Sequence, residues 1–271
     1  MKKILITGGN GYVAKSAYLA LKDEYDVTSI SRSDFDLCDR EKTNEFFKDK
    51  CFDVIIHTAI KGGSRLQSDS LDVTHLNLSM FYNLLANRDH YIKLINIGSG
   101  AEIGYPTTPY GLSKSIISKL IDNECYFYNI RVFGLFDENE LDTRFVKSNI
   151  ERYINHQPLH IHQNKYMDFF YMGDFINILK FYINRDHRFE APPKSIDCSY
   201  NYHLSLNDIA EMINNLSDYK VPVNIGNTEL ASSYIGEYGI PHIENSDIPI
   251  IEYGGLKQGI INVYNKLKNE H

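Results

Sequence analysis

The sequence predicts a doubly wound α/β fold for its first half, a parallel sheet with helices on both faces, followed by a smaller lobe. Three observations carry this. Short β-branched runs alternate with amphipathic stretches as far as Phe133. The strand-like runs are apolar throughout, and a glycine-rich turn stands at the first junction. Continuously apolar strands are buried on both faces, as in sheets whose parallel strands are joined by crossover helices. Right-handed crossovers then give the doubly wound arrangement.

Lys3 to Thr7 reads as the first strand. Tyr12 to Leu21 carries Val13, Ala17, Ala20 and Leu21 at helical spacing. Asp26 to Ile30 follows as a strand, Arg40 to Lys48 as a helix, Val54 to Ile56 as a strand and Leu71 to Ala86 as a helix. Ile92 to Ile97 is a fourth strand, Pro109 to Ile121 a helix and Tyr126 to Val132 a fifth strand. Beyond Phe133 the alternation stops. Helices are expected over Thr143 to Asn155, from Asp174, over Leu206 to Leu216 and over Leu256 to Leu267. A short strand is expected near Phe169 to Met172 and a loop at Pro192-Pro193, while residues 221–250 lack periodicity. The expected division is a domain over 1–165, to which parts of 166–200 return, and a smaller lobe over 166–271. That lobe is expected on the carboxyl ends of the strands, where ligands sit in such sheets.

Composition narrows the function. The chain has 271 residues, 43% of them hydrophobic, with no apolar run near the ~18 residues that span a bilayer. The apolar run Ile4 to Ile6 is cut by Thr7-Gly8-Gly9, too short for a secretory signal, so a cytoplasmic protein is expected. A net charge of -7 speaks against a nucleic-acid partner. Cys38, Cys51, Cys125 and Cys198 form no CxxC pair and read as reduced thiols, with no metal site expected.

The turn Gly8-Gly9-Asn10-Gly11-Tyr12-Val13-Ala14 places small residues at 8, 11 and 14 between a strand and a helix. Gly8 permits the tight turn, Gly11 lets backbone N–H groups approach a pyrophosphate, and Ala14 permits close helix–strand packing. Tyr12 and Val13 open the helix whose N-terminus attracts the phosphates. This pattern predicts a Rossmann-type doubly wound parallel sheet with an NAD(P) site and a smaller C-terminal substrate lobe. No acid ends the second strand, where NAD sites place one for the ribose 2′-OH; Arg32 stands there instead and favours the 2′-phosphate of NADP, with NAD as the alternative. A solvated surface arginine is the plainer reading of the same residue. Asp36 and Leu37 are candidates to pack around the adenine.

Tyr110 and Lys114 fall at i and i+4 on one helix. A phenol titrates near ~10, and a neighbouring ammonium favours its phenolate, so Tyr110 can exchange a proton with a substrate oxygen near neutral pH. Lys114 is also a candidate to hold the nicotinamide ribose. Ser99 ends the fourth strand and can bond the same oxygen.

These motifs resemble the extended short-chain dehydrogenase/reductase family, also described as the NAD-dependent epimerase/dehydratase family, which acts mainly on nucleotide sugars. Asp36-Leu37-x-Asp39 and Ala59-Ile60-Lys61-Gly62-Gly63 look most like its GDP-L-fucose synthase-like 4-keto reductases. The resemblance implies that His57, Thr58 and Ala59 lie near the cofactor, that Asn77 supports the proton relay and that Arg131 lies beneath the nicotinamide. Phe133 stands where the family usually has Asn. Lys61, Ser99, Gly100 and Phe133 become candidate substrate contacts. Asp168 to Asp174 resembles the segment near the sugar nucleotide and Gly255 to Ile260 the C-terminal helix. The family's nucleotide-contacting Arg is Met167 here, which leaves Arg144 or Lys165 to contact phosphate. A homodimer through a four-helix bundle is implied, with Met80, Phe81, Ile116 and Ile117 as apolar residues left over after the helices meet the sheet.

The departures sharpen the expectation. Only eleven positions separate Ser99 from Tyr110, and the fucose synthase-type epimerisation pair is replaced by Ala101 and Phe136. Glu102 is the only acid near Ser99, in a position unlike the dehydratase acid pair. The expected activity is NADPH-dependent reduction of a 4-keto nucleotide sugar without epimerisation. The alternatives are an epimerase or dehydratase that retains NAD, and a regulatory protein that binds NAD(P) without turnover.

Overall fold

The computed structural model describes residues 1–64, 67–185, 191–200, 202–227, 229–237 and 253–270. Strand β1 (Lys3–Thr7) pairs in parallel with both β2 (Asp26–Ile30) and β3 (Phe52–His57), and β3 pairs in parallel with β4 (Tyr91–Ser99). With β5 (Phe127–Val132) and β9 (Ser195–Cys198) these form a six-stranded sheet ordered β2-β1-β3-β4-β5-β9. Chain order reverses direction across β1 and β3, so their carboxyl ends form the switch point where such sheets open a crevice.

Helices α1 (Tyr12–Leu21), α2 (Arg40–Phe47), α3 (Asp72–Ala86), α4 (Ala101–Gly104) and α5 (Pro109–Asp122) connect these strands. Leu5, Ile55 and Leu94 join Phe47, Phe81, Leu84, Ile117 and Ile121 in one apolar cluster. The alternate set Ile4, Ile6, Val54, Ile56 and Ile95 is equally buried, because successive strand side chains point to opposite faces. This two-sided burial is why the strands read as unbroken apolar runs. It also corrects an expectation: Met80, Phe81 and Ile117 are no more than 7% exposed and are consumed by the chain's own core, whereas Tyr82 and Leu112 are exposed.

Two compact units emerge: residues 1–131 with 182–196, and residues 132–181 with 197–271. Residues 132–165, assigned from sequence to the first domain, thus belong to the second unit. The strand–helix alternation ends at Phe133, and the segments beyond it pack on a core of their own.

In that unit β6 (Leu135–Phe136) pairs in parallel with β8 (Phe170–Tyr171), and β7 (Leu159–Gln163) with β10 (Val223–Asn227). The helices are α6 (Phe145–Ile154), most of α7 (Met172–Asn184), α8 (Leu206–Asn214) and α9 (Gly255–Glu270). Helix α8 opens with a capping box between Ser205 and Asp208. The start of α9 is held by the Asp174 carboxylate, which accepts from Gly254 N–H (2.8 Å) and Gly255 N–H (3.0 Å). Of the stretch without periodicity, Val223–Asn227 is β10, and 238–252 lies outside the described residues. Among the described residues no helix is long and apolar enough to cross a membrane.

Candidate active site

Three glycines of the β1–α1 turn serve separate purposes. Gly8 has φ +74°, and a Cβ there would lie 2.7 Å from the Ala59 Cα. Gly9, which the sequence reading passed over, donates its N–H to Ile30 O (2.8 Å), and a Cβ would meet Ser29 Oγ at 2.5 Å. Gly11 N–H donates to Gly8 O at 2.8 Å, and Gly11 is the N-cap of α1. No described side chain caps this helix and no acid lies in its first turn, so nothing negative offsets its partial positive charge. A cradle that any Cβ would fill, at an uncapped helix N-terminus, fits the pyrophosphate of a dinucleotide.

Thr7 ties this turn to the end of β3. Its Oγ1 accepts from Ala59 N–H (3.2 Å) and lies 2.9 Å from His57 Nδ1, while Thr58 Oγ1 donates to Thr7 O (2.6 Å). His57 is buried against Phe81. Burial, reinforced by the Lys114 charge, pushes it down to about 3. The imidazole is therefore held neutral, bonded to Thr7 as a strut for the cradle.

At the β2 end Arg32 is exposed, its Nε 3.5 Å from Asp36 Oδ2. An exposed pair of this kind contributes ~1 kcal/mol at most, so it does not hold Arg32 back from a phosphate. Leu37, expected beside the adenine, packs instead into the apolar cluster with Phe47, and its carbonyl accepts from Asn83 Nδ2 (2.8 Å).

Ser99 closes β4 and its Oγ accepts from Ala101 N–H at 3.2 Å. Helix α5 starts at Thr108, whose Oγ1 accepts from Gly111 N–H (3.1 Å), with Pro109 in its first turn. A Cβ on Gly111 would stand 1.9 Å from Tyr105 O and 2.7 Å from Ala101 O. The α4 turn thus stacks directly on α5, which is how ten intervening residues suffice. Gly63, at φ +75°, packs on the Tyr110 ring: a Cβ would lie 2.7 Å from its Cε2.

Lys114 is 4% exposed and donates from Nζ to Ile97 O, 6.0 Å from the centre of the Tyr110 ring. Burial pushes its ammonium down to about 8, with Glu102 acting in the opposite direction. Glu102 is the residue that sequence reasoning undervalued. It is buried beneath the Ser99 turn, accepting from Ser99 N–H and from Asn129 Nδ2, each at 2.9 Å. Burial lifts its carboxyl to about 7, opposed by the Ser99 N–H and by the charges of Lys114 and Arg131. Gly100, also expected near the substrate, is the N-cap of α4.

Asn77 takes partners other than the relay the resemblance implied. Its Oδ1 accepts from Lys61 N–H (2.8 Å), and its Nδ2 donates to Lys61 O (3.0 Å) and Ser113 Oγ (2.9 Å). It therefore pins the loop after β3 to α5, leaving the Lys61 side chain exposed.

The remaining substrate candidates lie in the second unit. Phe133 is buried with its ring 5.2 Å from that of Tyr234. Arg144 is the N-cap of α6, and Lys165 accepts from Leu206 N–H through its carbonyl. Met167 and Phe136 are core residues.

A family model described as the NAD dependent epimerase/dehydratase family matches residues 4–195. The chain belongs to this family. Three solved structures set its fold among relatives. One is a GDP-mannoheptose C4 reductase from Campylobacter jejuni with NADP bound, at 14% identity and TM-score 0.78, covering 98% of this chain and 98% of that one. Another is a GDP-L-fucose synthetase from Naegleria fowleri bound to NADP, at 17% identity and TM-score 0.75, covering 99% and 93%. The third is a UDP-glucose 4-epimerase from Thermus thermophilus in complex with NAD, at 15% identity and TM-score 0.73, covering 97% and 98%. None of the curated protein sequences matches the chain.

Proposed function

We propose that this protein reduces the 4-keto group of a nucleotide-activated deoxysugar or heptose with NADPH, leaving neighbouring centres unchanged. The observation that carries the reading is the buried Lys114 ammonium, 6.0 Å from the centre of the Tyr110 ring and bonded to Ile97 O two residues before Ser99, at the carboxyl end of β4 as the glycine cradle is at that of β1. The cradle residues Gly8, Gly9 and Gly11 hold the pyrophosphate, and Arg32 the 2′-phosphate. Relatives with NADP bound, a C4 reductase among them, support that choice.

Bound NADPH supplies a hydride to the carbonyl carbon. Tyr110 donates its phenolic proton to the carbonyl oxygen, and Ser99 Oγ orients that oxygen by hydrogen bonding. Lys114 stabilises the phenolate left behind and, with donors to spare, the cofactor ribose. Asn77 acts through Lys61 and α5, as a positioning residue. Epimerisation needs a base beside the sugar. Ala101 and Phe136, at the fucose synthase-type positions, offer none, which favours simple reduction over the epimerase reading, with His57 and Asp137 as the alternative bases. Arg144 and Lys165 are proposed phosphate contacts, and Gly100 and Phe133 are each proposed, on the family resemblance, as substrate contacts. A cytoplasmic homodimer completes the reading, its contact formed by the exposed Tyr82 on α3 and Leu112 on α5.

The test is a panel of GDP-, UDP- and dTDP-linked 4-keto sugars incubated with NADPH and followed at the nicotinamide absorbance. Oxidation with at least one of them, giving the 4-hydroxy sugar, is expected. Tight NADPH binding with no oxidation by any would favour the regulatory reading.

A further inference from the structure

Glu102 sits on a four-residue turn, yet its carboxylate is built into the sheet. Oε1 accepts from Ser99 N–H and Oε2 from Asn129 Nδ2. Asn129 is itself oriented: its Oδ1 accepts from Asn96 Nδ2 (2.7 Å), and its Nδ2 also reaches Ser118 Oγ (3.2 Å). A buried polar column therefore runs from Asn96 on β4, through Asn129 on β5, to Glu102 and the backbone of Ser99. Gly98 makes room for it. A Cβ there would stand 2.5 Å from Glu102 Oε1 and 2.6 Å from Asn129 Oδ1, so the glycine is required by the carboxylate and not by a turn.

A buried carboxylate is unfavourable unless hydrogen-bonded and opposed by positive charge. Here both conditions are met by groups the reduction uses. We infer that Glu102 is a positioning residue for this reaction: its carboxylate fixes the Ser99 turn against β5 and is the counter-charge that keeps Lys114 an ammonium. The inference rests on the reductase reading for its function, but its physical content does not.

The groups around the pair are few. Lys114 is faced by Glu102 from α4, Tyr110 from its own helix, the Ile97 carbonyl from β4 and His57 from β3. Because His57 is neutral, Glu102 is the charge that offsets the burial of the ammonium. Glu102 in turn is faced by Lys114 and by Arg131 from β5, and burial lifts it to about 7. Lys114 Nζ bonds the Ile97 carbonyl and Glu102 Oε1 accepts from Ser99 N–H two residues on, so the two groups lie at one strand end and their titrations are coupled. A role confined to holding the Ser99 turn would need only the acceptor geometry, which Gln reproduces toward Ser99. A counter-charge role needs the charge itself.

The experiment follows Lys114 by carbon NMR of protein labelled at lysine Cε, its resonance assigned with Lys114→Met. It needs neither NADPH nor sugar, so its failure is distinct from failure of the reductase reading. In the wild type two coupled steps are expected near neutral pH. In Glu102→Gln one step remains, at a midpoint lower by about one pH unit or more, a tenfold loss of proton affinity. Glu102→Asp, which keeps the charge, restores the wild-type midpoint. An unchanged midpoint in Glu102→Gln would overturn the inference. Should that variant fail to fold, a single wild-type step at the ordinary lysine value would do the same. With an active 4-keto substrate, the alkaline limb of kcat must move down in parallel; a uniform loss at every pH would reduce Glu102 to a structural residue.

Discussion

Lys93 and Lys114 are each 4% exposed, and each places its ammonium 6.0 Å from the centre of a tyrosine ring, Tyr128 and Tyr110 respectively. Their donors differ. Lys93, near the start of β4, gives its hydrogens to the carbonyls of Tyr182, Ile183 and Arg185 at the end of α7. Its three N–H groups close a helix C-terminus, satisfying carbonyls that have no intrahelical partner. Lys114, on α5 beside the opposite end of that strand, bonds the Ile97 carbonyl alone among the described residues, and an ammonium has three hydrogens to give. Equal burial therefore produces a finished structural joint in one case and, in the other, a charge with donors to spare beside a phenol. Saturation of the donors, more than burial, separates the lysine that builds from the one proposed to serve the reaction.

Substitution should separate the two lysines by readout. Tyr110→Phe, which removes the acid served by Lys114, should lower turnover by roughly 10²–10⁴ with NADPH affinity nearly intact. Activity measured alongside a cofactor titration checks this, and retained turnover would assign the acid elsewhere. Lys93→Met should leave the turnover of folded protein unchanged, yet destabilise the chain by about 2–4 kcal/mol because buried carbonyls lose their partners. Urea denaturation would show it.

The pH dependence of stability divides them again. The folded-state midpoint of Lys114, about 8, lies below the ordinary lysine value of 10.5. Between those values the unfolded chain holds a proton that the folded chain has released, so this residue makes stability rise with pH through that window. The accumulated gain is on the order of 3 kcal/mol. Comparing the unfolding free energy of wild type and Lys114→Met from pH 7 to 10.5 should reveal the more positive slope in the wild type. A smaller effect is expected at the cofactor end: Arg32→Ala should weaken NADPH binding about tenfold or more and leave NADH unaffected. Equal losses for both cofactors would remove Arg32 from the 2′-phosphate.

Legibility from sequence followed the same physics. Tyr110 and Lys114, the proposed proton donor and its partner, stand at helical spacing and were visible as a pair. The glycine cradle was visible because backbone geometry selects Gly at Gly8 and Gly11. Glu102 was not, because its importance lies in partners from β4 and β5 that no local spacing reveals. Nor was the fate of Met80, Phe81 and Ile117: apolar residues on three sides of a helix do not declare which side meets the sheet. Strands β6 and β9 escaped because two to four residues carry no periodicity. The alternation Leu159-His160-Ile161-His162 did carry a strand signal, and it is β7.

The proposed reduction delivers hydride and proton once, to the C4 carbonyl. An active 4-keto nucleotide sugar should therefore be reduced twice in parallel, once with NADPH deuterated at the nicotinamide C4 in ordinary water, and once with unlabelled NADPH in deuterium oxide. The first product should carry deuterium on C4, and the second should carry no carbon-bound deuterium at C3 or C5 beyond an enzyme-free control. Enzyme-dependent deuterium at C3 or C5 would contradict single delivery and make the protein an epimerising reductase.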